Sequence, residues 1–422
     1  MENEGKIYSY HNRYVAIARG RGGVLYQPDE PDERCRIAIL LMHSSGNYYA
    51  HVATLALAER GFTVMGANVS NAKQPLENKI QEVGDYVRYL KGLPGIDKVL
   101  ILGHSGGGTL MSCYQAVAEN GVQIFQDDGR IVKMPDMDPM PEADGVLLLD
   151  SNFGIGVMYL VSVDPAVTDE HSARNLNSEF DLFAPENGYV PGAAHYSKEF
   201  VEKYNAAQEA RFDRIREHVL ERLDALNRGE GDFEDDEPIV IPGGSLVSRN
   251  NRLFPLDISY LNHTKEEYPL LHSDGSITNE IIYTRRAPRG NRSLTPLLGQ
   301  SADNTTIRIY AGSATVRTHG YRMTETGIEG VDWDSSYNNT PGNVKYIRKP
   351  LLIMGMTGGY EFLAAEIIYQ NAVSEDKTIA FVEGATHNFT TEKATEKYPG
   401  EFGDTVKTCF DFVAKWVMER FS

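Results

Sequence analysis

The sequence predicts an α/β protein in which helices flank a mostly parallel central sheet, with a large segment inserted into it. Three observations carry that expectation. Short apolar runs alternate with helical periodicity up to residue 151 and again from residue 349, which is the pattern of successive strand–helix units. One run, Val99-Leu100-Ile101-Leu102, ends in Gly103-His104-Ser105-Gly106-Gly107 and flows directly into a helical pattern. Regular alternation then disappears between Ser151 and Lys349, a stretch too long for a loop within a compact domain.

The elements follow in order. Arg13–Ala18 and Gly23–Gln27 read as an opening antiparallel pair around Gly20-Arg21-Gly22. Arg36–Met42 is continuously apolar, as a strand covered on both faces must be, and Tyr48–Arg60 is a helix stopped by Gly61. Phe62–Ala67 is the next strand, Asn78–Leu90 the next helix, and Lys98–Leu102 the strand before the glycine-flanked serine. Thr109–Ala118 continues as a helix to a stop at Gly121, and Gly145–Leu149 is a further strand. After the interruption come a strand at Pro350–Met354, a helix at Ala364–Val373, a strand at Thr378–Val382 and a last helix at Asp404–Arg420. The expected organisation is a core in two parts, 1–151 and 349–422, with 152–348 as an inserted cap.

Within the insert, Phe200, Tyr204, Phe212, Ile215, Val219, Leu223 and Leu226 recur at helical spacing between a Ser197 N-cap and Gly229, predicting one long amphipathic helix. The acidic run from Glu230 to Glu237 reads as a solvated linker, and Ile307–Tyr310 as a short strand.

Composition narrows the partners. With 41 basic against 59 acidic residues the net charge is −18, which repels nucleic-acid phosphates and anionic lipid surfaces. The three cysteines, Cys35, Cys113 and Cys409, are scattered and lack metal-type spacing, and no stretch approaches the roughly 18 apolar residues of a membrane span. A soluble cytoplasmic protein is expected. His171, His195, His218, His263, His272 and His319 show no ligand spacing, and Gly106-Gly107-Gly108 does not fit a dinucleotide-binding frame, so no metal and no cofactor is expected.

The strand, Gly-x-Ser-x-Gly and helix together are the pattern of a nucleophile elbow. A sharp strand-to-helix turn would hold Ser105 clear of the sheet, and the Gly106 N–H and the helix N-terminus would face a developing oxyanion. A serine hydroxyl needs a base, and the base an orienting acid. His387 alone of the eleven histidines stands between a late strand and the last helix, delivered there by Glu383-Gly384-Ala385-Thr386.

On Gly103-His104-Ser105-Gly106-Gly107 and Gly384-Ala385-Thr386-His387, the chain resembles the α/β-hydrolase superfamily over residues 13–151 and 349–422. His43-Ser44-Ser45-Gly46 is similar to that family's oxyanion segment, with serine in place of its usual first glycine. The resemblance implies that a backbone N–H near Ser44 or Ser45 joins that of Gly106. It also implies a carboxylate after the seventh strand, but that turn here is Gly355-Met356-Thr357-Gly358. Three acids remain: Asp150, the first choice, closing the sixth strand; Glu361 in the loop after the seventh; and Glu366 in the next helix, where compensation of the helix dipole is the other reading.

The expected activity is a serine hydrolase acting on an ester or lactone of a small molecule. Amide or C–C hydrolysis and acyl transfer are alternatives within the same machinery, and a non-catalytic ligand-binding protein is the alternative of another class. The aromatics of the insert and its Arg249, Arg252, Arg285, Arg286, Arg308 and Arg317 suit an aromatic or carboxylate-bearing substrate, the other reading being plain surface. The oligomeric state is not legible.

Overall fold

A computed structural model describes residues 6–18, 20–246, 252–289 and 301–422. Strands β1 (Tyr10–Ala18) and β2 (Arg21–Pro28) form the opening hairpin, and β3 (Ile37–Leu41), β4 (Thr63–Ala67), β5 (Lys98–Ser105) and β6 (Gly145–Ser151) follow. Helices α1 (Val52–Ala58), α2 (Leu76–Lys91) and α3 (Gly107–Asn120) connect them. Later elements are α4 (Lys198–Asn227), β7 (His263–Leu271), β8 (Ile277–Tyr283), α5 (Ile307–Ala314), β9 (Leu351–Met356), α6 (Phe362–Asn371), β10 (Lys377–Val382) and α7 (Thr405–Phe421).

One sheet runs β1-β2-β4-β3-β5-β6-β9-β10-β7-β8. From β4 to β7 each neighbouring pair is parallel, and the strands outside them are antiparallel. The continuous apolar runs are explained by cover on both faces. Leu40 and Ile101 join a core with α2, α3, α4 and α6, while Ile39 and Leu100 face α1 and α7. Each such Leu or Ile, removed from water, stabilises the fold by roughly 1.5–3 kcal/mol.

The segment 152–348 is interwoven with this sheet. Leu270 and Leu271 of β7 lie beside Phe381 and Val382 of β10, and β8 pairs outside β7. Helix α4 begins where expected, with Ser197 Oγ accepting the Phe200 N–H at 3.1 Å, and it ends just before Gly229 at φ 73°. Two local readings are corrected. Ile307–Tyr310 opens a helix, because Ile307, Tyr310, Ala311 and Ala314 share one buried face at helical spacing. Glu237, the last residue of the acidic run, is buried and accepts two bonds from Arg222, at 2.6 and 2.8 Å, rather than facing solvent. Among the described residues no helix is long and apolar enough to cross a membrane.

Candidate active site

Strand β5 ends at Ser105 and α3 starts at Gly107, so one residue makes the turn. Ser105 has φ 56°, in the left-handed region that side chains rarely occupy and that costs of order 1 kcal/mol or more. The crossing is tight enough to demand glycine. A methyl on Gly103 would stand 2.7 Å from the Gly107 carbonyl carbon and 2.8 Å from Gly108 Cα, and one on Gly108 would overlap Ser151. Behind the turn, Thr109 Oγ1 meets Asn152 Oδ1 at 3.4 Å and Thr340 Oγ1 at 3.1 Å, tying the first turn of α3 to β6 and to the end of the insert.

His387 follows β10 on a loop closed by the bonds from Thr386 N–H to Thr390 O and from Phe389 N–H to Thr386 O. Its Nδ1 lies 2.7 Å from Asp150 Oδ2, and Asp150 Oδ1 accepts the Met356 N–H at 2.8 Å. Asp150 also has a positive φ, 45°, which turns its carboxylate from the end of β6 toward β9 and the histidine loop. Its side chain is fully buried, whereas that of His387 is 29% exposed. Burial pushes the Asp150 carboxyl up to about 6, with the hydrogen bond and charge of His387 opposing and the charge of Glu361 adding to the rise.

The other two candidate acids part company. Glu361 is buried with Oε2 3.5 Å from the same His387 Nδ1. Glu366 turns away: its carboxylate accepts the backbone N–H groups of Lys265 and Glu266 at 3.0–3.1 Å, where the β7–β8 register shifts. It fills the hydrogen bonds of an irregular strand and does not reach the histidine, so the first-turn dipole reading does not describe it either.

The segment after β3 is organised by its first residue, His43. His43 Nδ1 accepts the N–H groups of Ser45 at 3.0 Å and Gly46 at 2.7 Å, which leaves the ring its proton on Nε2. Burial, and the charge of His387, hold His43 down to about 4, so the ring stays neutral. The Ser45 N–H is thereby turned into its own loop and is not offered to a ligand. Ser44 is placed otherwise: a methyl on Gly106 would stand 2.9 Å from Ser44 Oγ, so these two expected residues adjoin. The motif His43-Ser44-Ser45-Gly46 marks the position in the sequence, but the role of His43 depends on its ring orientation.

His104 is buried and bonded on both ring nitrogens. Its Nδ1 lies 2.5 Å from Tyr48 Oη and its Nε2 2.6 Å from the His387 carbonyl oxygen, so Tyr48 donates to His104 and His104 to the histidine loop. The rings of His104 and His387 are 4.5 Å apart. Burial and the charge of His387 hold His104 well below its ordinary value, which keeps Nδ1 an acceptor.

Asp150, Glu361 and His387 each bring one ligand-type atom within 4.8 Å of the others. With the Nδ1 proton assigned toward the Asp150 carboxylate at 2.7 Å, that nitrogen has no lone pair for a cation. The arginines of the insert are largely engaged. Arg252 donates to Ser162 and Tyr360, Arg286 to the Leu261 and Tyr260 carbonyls, and Arg285 to Glu383. Arg308 donates to Asp235 O and Asn227, and Arg317 to Asp332. Arg249 lies outside the described residues.

Sheet order, strand-to-helix turn and late histidine loop together define an α/β-hydrolase fold. No protein-family profile and no curated protein matches the sequence. Among solved structures, the chain is similar to Est1E from Butyrivibrio proteoclasticus, at 11% identity over 97% of this chain and 98% of that one, with a TM-score of 0.41. It is also similar to the siderophore hydrolase EstB from Aspergillus fumigatus, at 9% identity over 97% and 98%, with a TM-score of 0.46. Esterase B from Lactobacillus rhamnosis matches at 12% identity over 99% and 89%, with a TM-score of 0.40.

Proposed function

We propose that the protein is a serine hydrolase that cleaves a small-molecule ester or lactone through an acyl-enzyme on Ser105. The observation that carries the reading is the 2.7 Å contact between His387 Nδ1 and the buried Asp150 carboxylate, at the same end of the sheet as the left-handed Ser105 turn. With Nδ1–H held by Asp150, Nε2 is the basic nitrogen. It takes the Ser105 proton as Oγ bonds to the substrate carbonyl carbon, then returns it to the departing alkoxide. Water, activated by the same nitrogen, attacks the acyl carbon and releases the acid and Ser105. The carbonyl oxygen, negative in both tetrahedral steps, is held by the Gly106 N–H and a donor from Ser44, each worth about 3 kcal/mol in the transition state.

Segment 152–348 is the source of the substrate walls in this reading. Because Arg252, Arg285, Arg308 and Arg317 already donate to acceptors of the chain itself, a neutral ester fits better than a carboxylate-bearing one. The test is a fluorophosphonate probe with p-nitrophenyl esters of varied acyl length. Native protein labels at Ser105 and turns over an ester, EDTA leaves the rate unchanged, and Ser105→Ala loses at least about 10³-fold in kcat while folding normally. Turnover retained by Ser105→Ala, or activity abolished by the chelator, would reject the assignment.

A further inference from the structure

We infer that Glu361 is a second acceptor for the His387 Nδ1 proton, a positioning residue that shares with Asp150 the task of orienting the catalytic imidazole and takes it over when Asp150 is removed. The inference rests on the proposed role of His387.

Both carboxylates address one nitrogen, Asp150 Oδ2 at 2.7 Å and Glu361 Oε2 at 3.5 Å. They come from different parts of the fold, the end of β6 and the loop between β9 and α6, so their convergence does not follow from sequence proximity. Glu361 is 2% exposed, and its Oε2 accepts no hydrogen bond from the described residues. A buried carboxylate oxygen left without a donor is costly unless something nearby supplies one. His387 Nδ1, 3.5 Å away, is a donor-bearing atom placed to supply one.

Charged groups near Glu361 include Asp150, His387 and Arg286, whose buried guanidinium feels the Glu361 charge. The buried Arg286 guanidinium faces both Glu361 and Asp257, and the charge of Glu361 adds to that beside Asp150. Asp150 holds the shorter contact because Met356 N–H fixes its other oxygen. Glu361 has no such tether among the described residues, and needs to close by less than about 1 Å to reach ordinary N–H···O distance.

The test is a double-mutant cycle with two readouts. Asp150→Gly suits the site, since φ 45° is unstrained for glycine, and it removes the acceptor without adding a donor. Glu361→Gln should reduce kcat less than about tenfold in the native background, but by at least about 10²-fold in Asp150→Gly, because there it removes the remaining carboxylate. Asp150→Asn, which presents an amide donor to Nδ1 and favours the wrong tautomer, should be slower than Asp150→Gly. The far-downfield proton resonance of Nδ1–H should persist in Asp150→Gly and vanish in the double variant. Equal effects of Glu361→Gln in the two backgrounds, or loss of the resonance in Asp150→Gly alone, would overturn the inference. The resonance needs no turnover, so it judges Glu361 even if Ser105→Ala shows the hydrolase reading to be wrong.

Discussion

Replacing Gly103 by alanine tests the turn that presents Ser105. The added methyl would meet backbone, at 2.7 Å from the Gly107 carbonyl carbon and 2.8 Å from Gly108 Cα, with no flexible side chain able to yield. Ordinary contact between carbons is about 3.5–4.0 Å, so the first turn of α3 must retreat from β5 by roughly 1 Å. Overpacking of this kind costs about 1–3 kcal/mol. A displacement of about 1 Å between nucleophile and oxyanion donors is worth on the order of 10²-fold in rate. The assay is ester turnover and probe-labelling rate, beside urea unfolding followed through Trp333 and Trp416. Gly103→Ala should keep its far-UV dichroism, lose about 10²-fold in kcat/KM, and unfold at lower urea. Gly400→Ala is the control. It stands at φ 84° with nothing within 4 Å of the added methyl, so it should cost about 1–2 kcal/mol of strain and leave turnover intact. Native rate and native stability in Gly103→Ala would show that β5 and α3 do not cross as described.

Tyr48→Phe leaves the buried His104 Nδ1 without its donor, and stability should fall by about 1–3 kcal/mol in urea titration, with kcat reduced as the His387 loop loosens; an unchanged urea midpoint would deny that the bond matters. Glu366→Gln should lower stability because an amide cannot replace both oxygens at Lys265 and Glu266, yet leave kcat within about twofold; a large kcat loss would bring Glu366 back as the acid. Asp164 is pushed up to about 6 by burial, so the native state holds its proton more tightly than the unfolded chain, and stability is lost as pH rises from about 4 to 6. Asp164→Asn should therefore stabilise the protein more at pH 8 than at pH 4, read from paired urea titrations, and a pH-independent difference would contradict the cause.

The parts of the fold legible in the sequence were those where local pattern and tertiary role coincide. Leu40, Leu100 and Leu148 lie in runs apolar at every position, which only strands covered on both faces require. Ser105 and Asp150 could be singled out because each ends such a run, although the positive φ of Asp150 has no sequence mark. Strands β7 and β8 were missed because Lys265, Glu266 and Glu267 interrupt the apolar pattern, and the pairing of Leu270 with Phe381 spans more than a hundred residues. The helix at Ile307 was misread because four residues are too few to separate a period of 2 from one of 3.6. Glu361 and Glu366 differ by little over one helical turn in sequence, and only the position of β7 decides that one faces His387 and the other a strand irregularity.

The order of strands also governs how the chain is built during synthesis. β9 and β10 are made after β7 and β8 yet lie between them and β6, so the sheet is completed from within. Until residue 356 has left the ribosome, the exposed edge of β6, Gly-Val-Leu-Leu-Leu-Asp-Ser, has no neighbour on that side, and until residue 382 has followed, β7 is bound only to β8. Unpaired apolar edges of this kind recruit other chains, and late long-range pairing is slow. Between the synthesis of β8 and that of β9 the chain therefore holds two incomplete half-sheets. Its yield in the cell should be set by how well chaperones cover the gap before the last strands fill it.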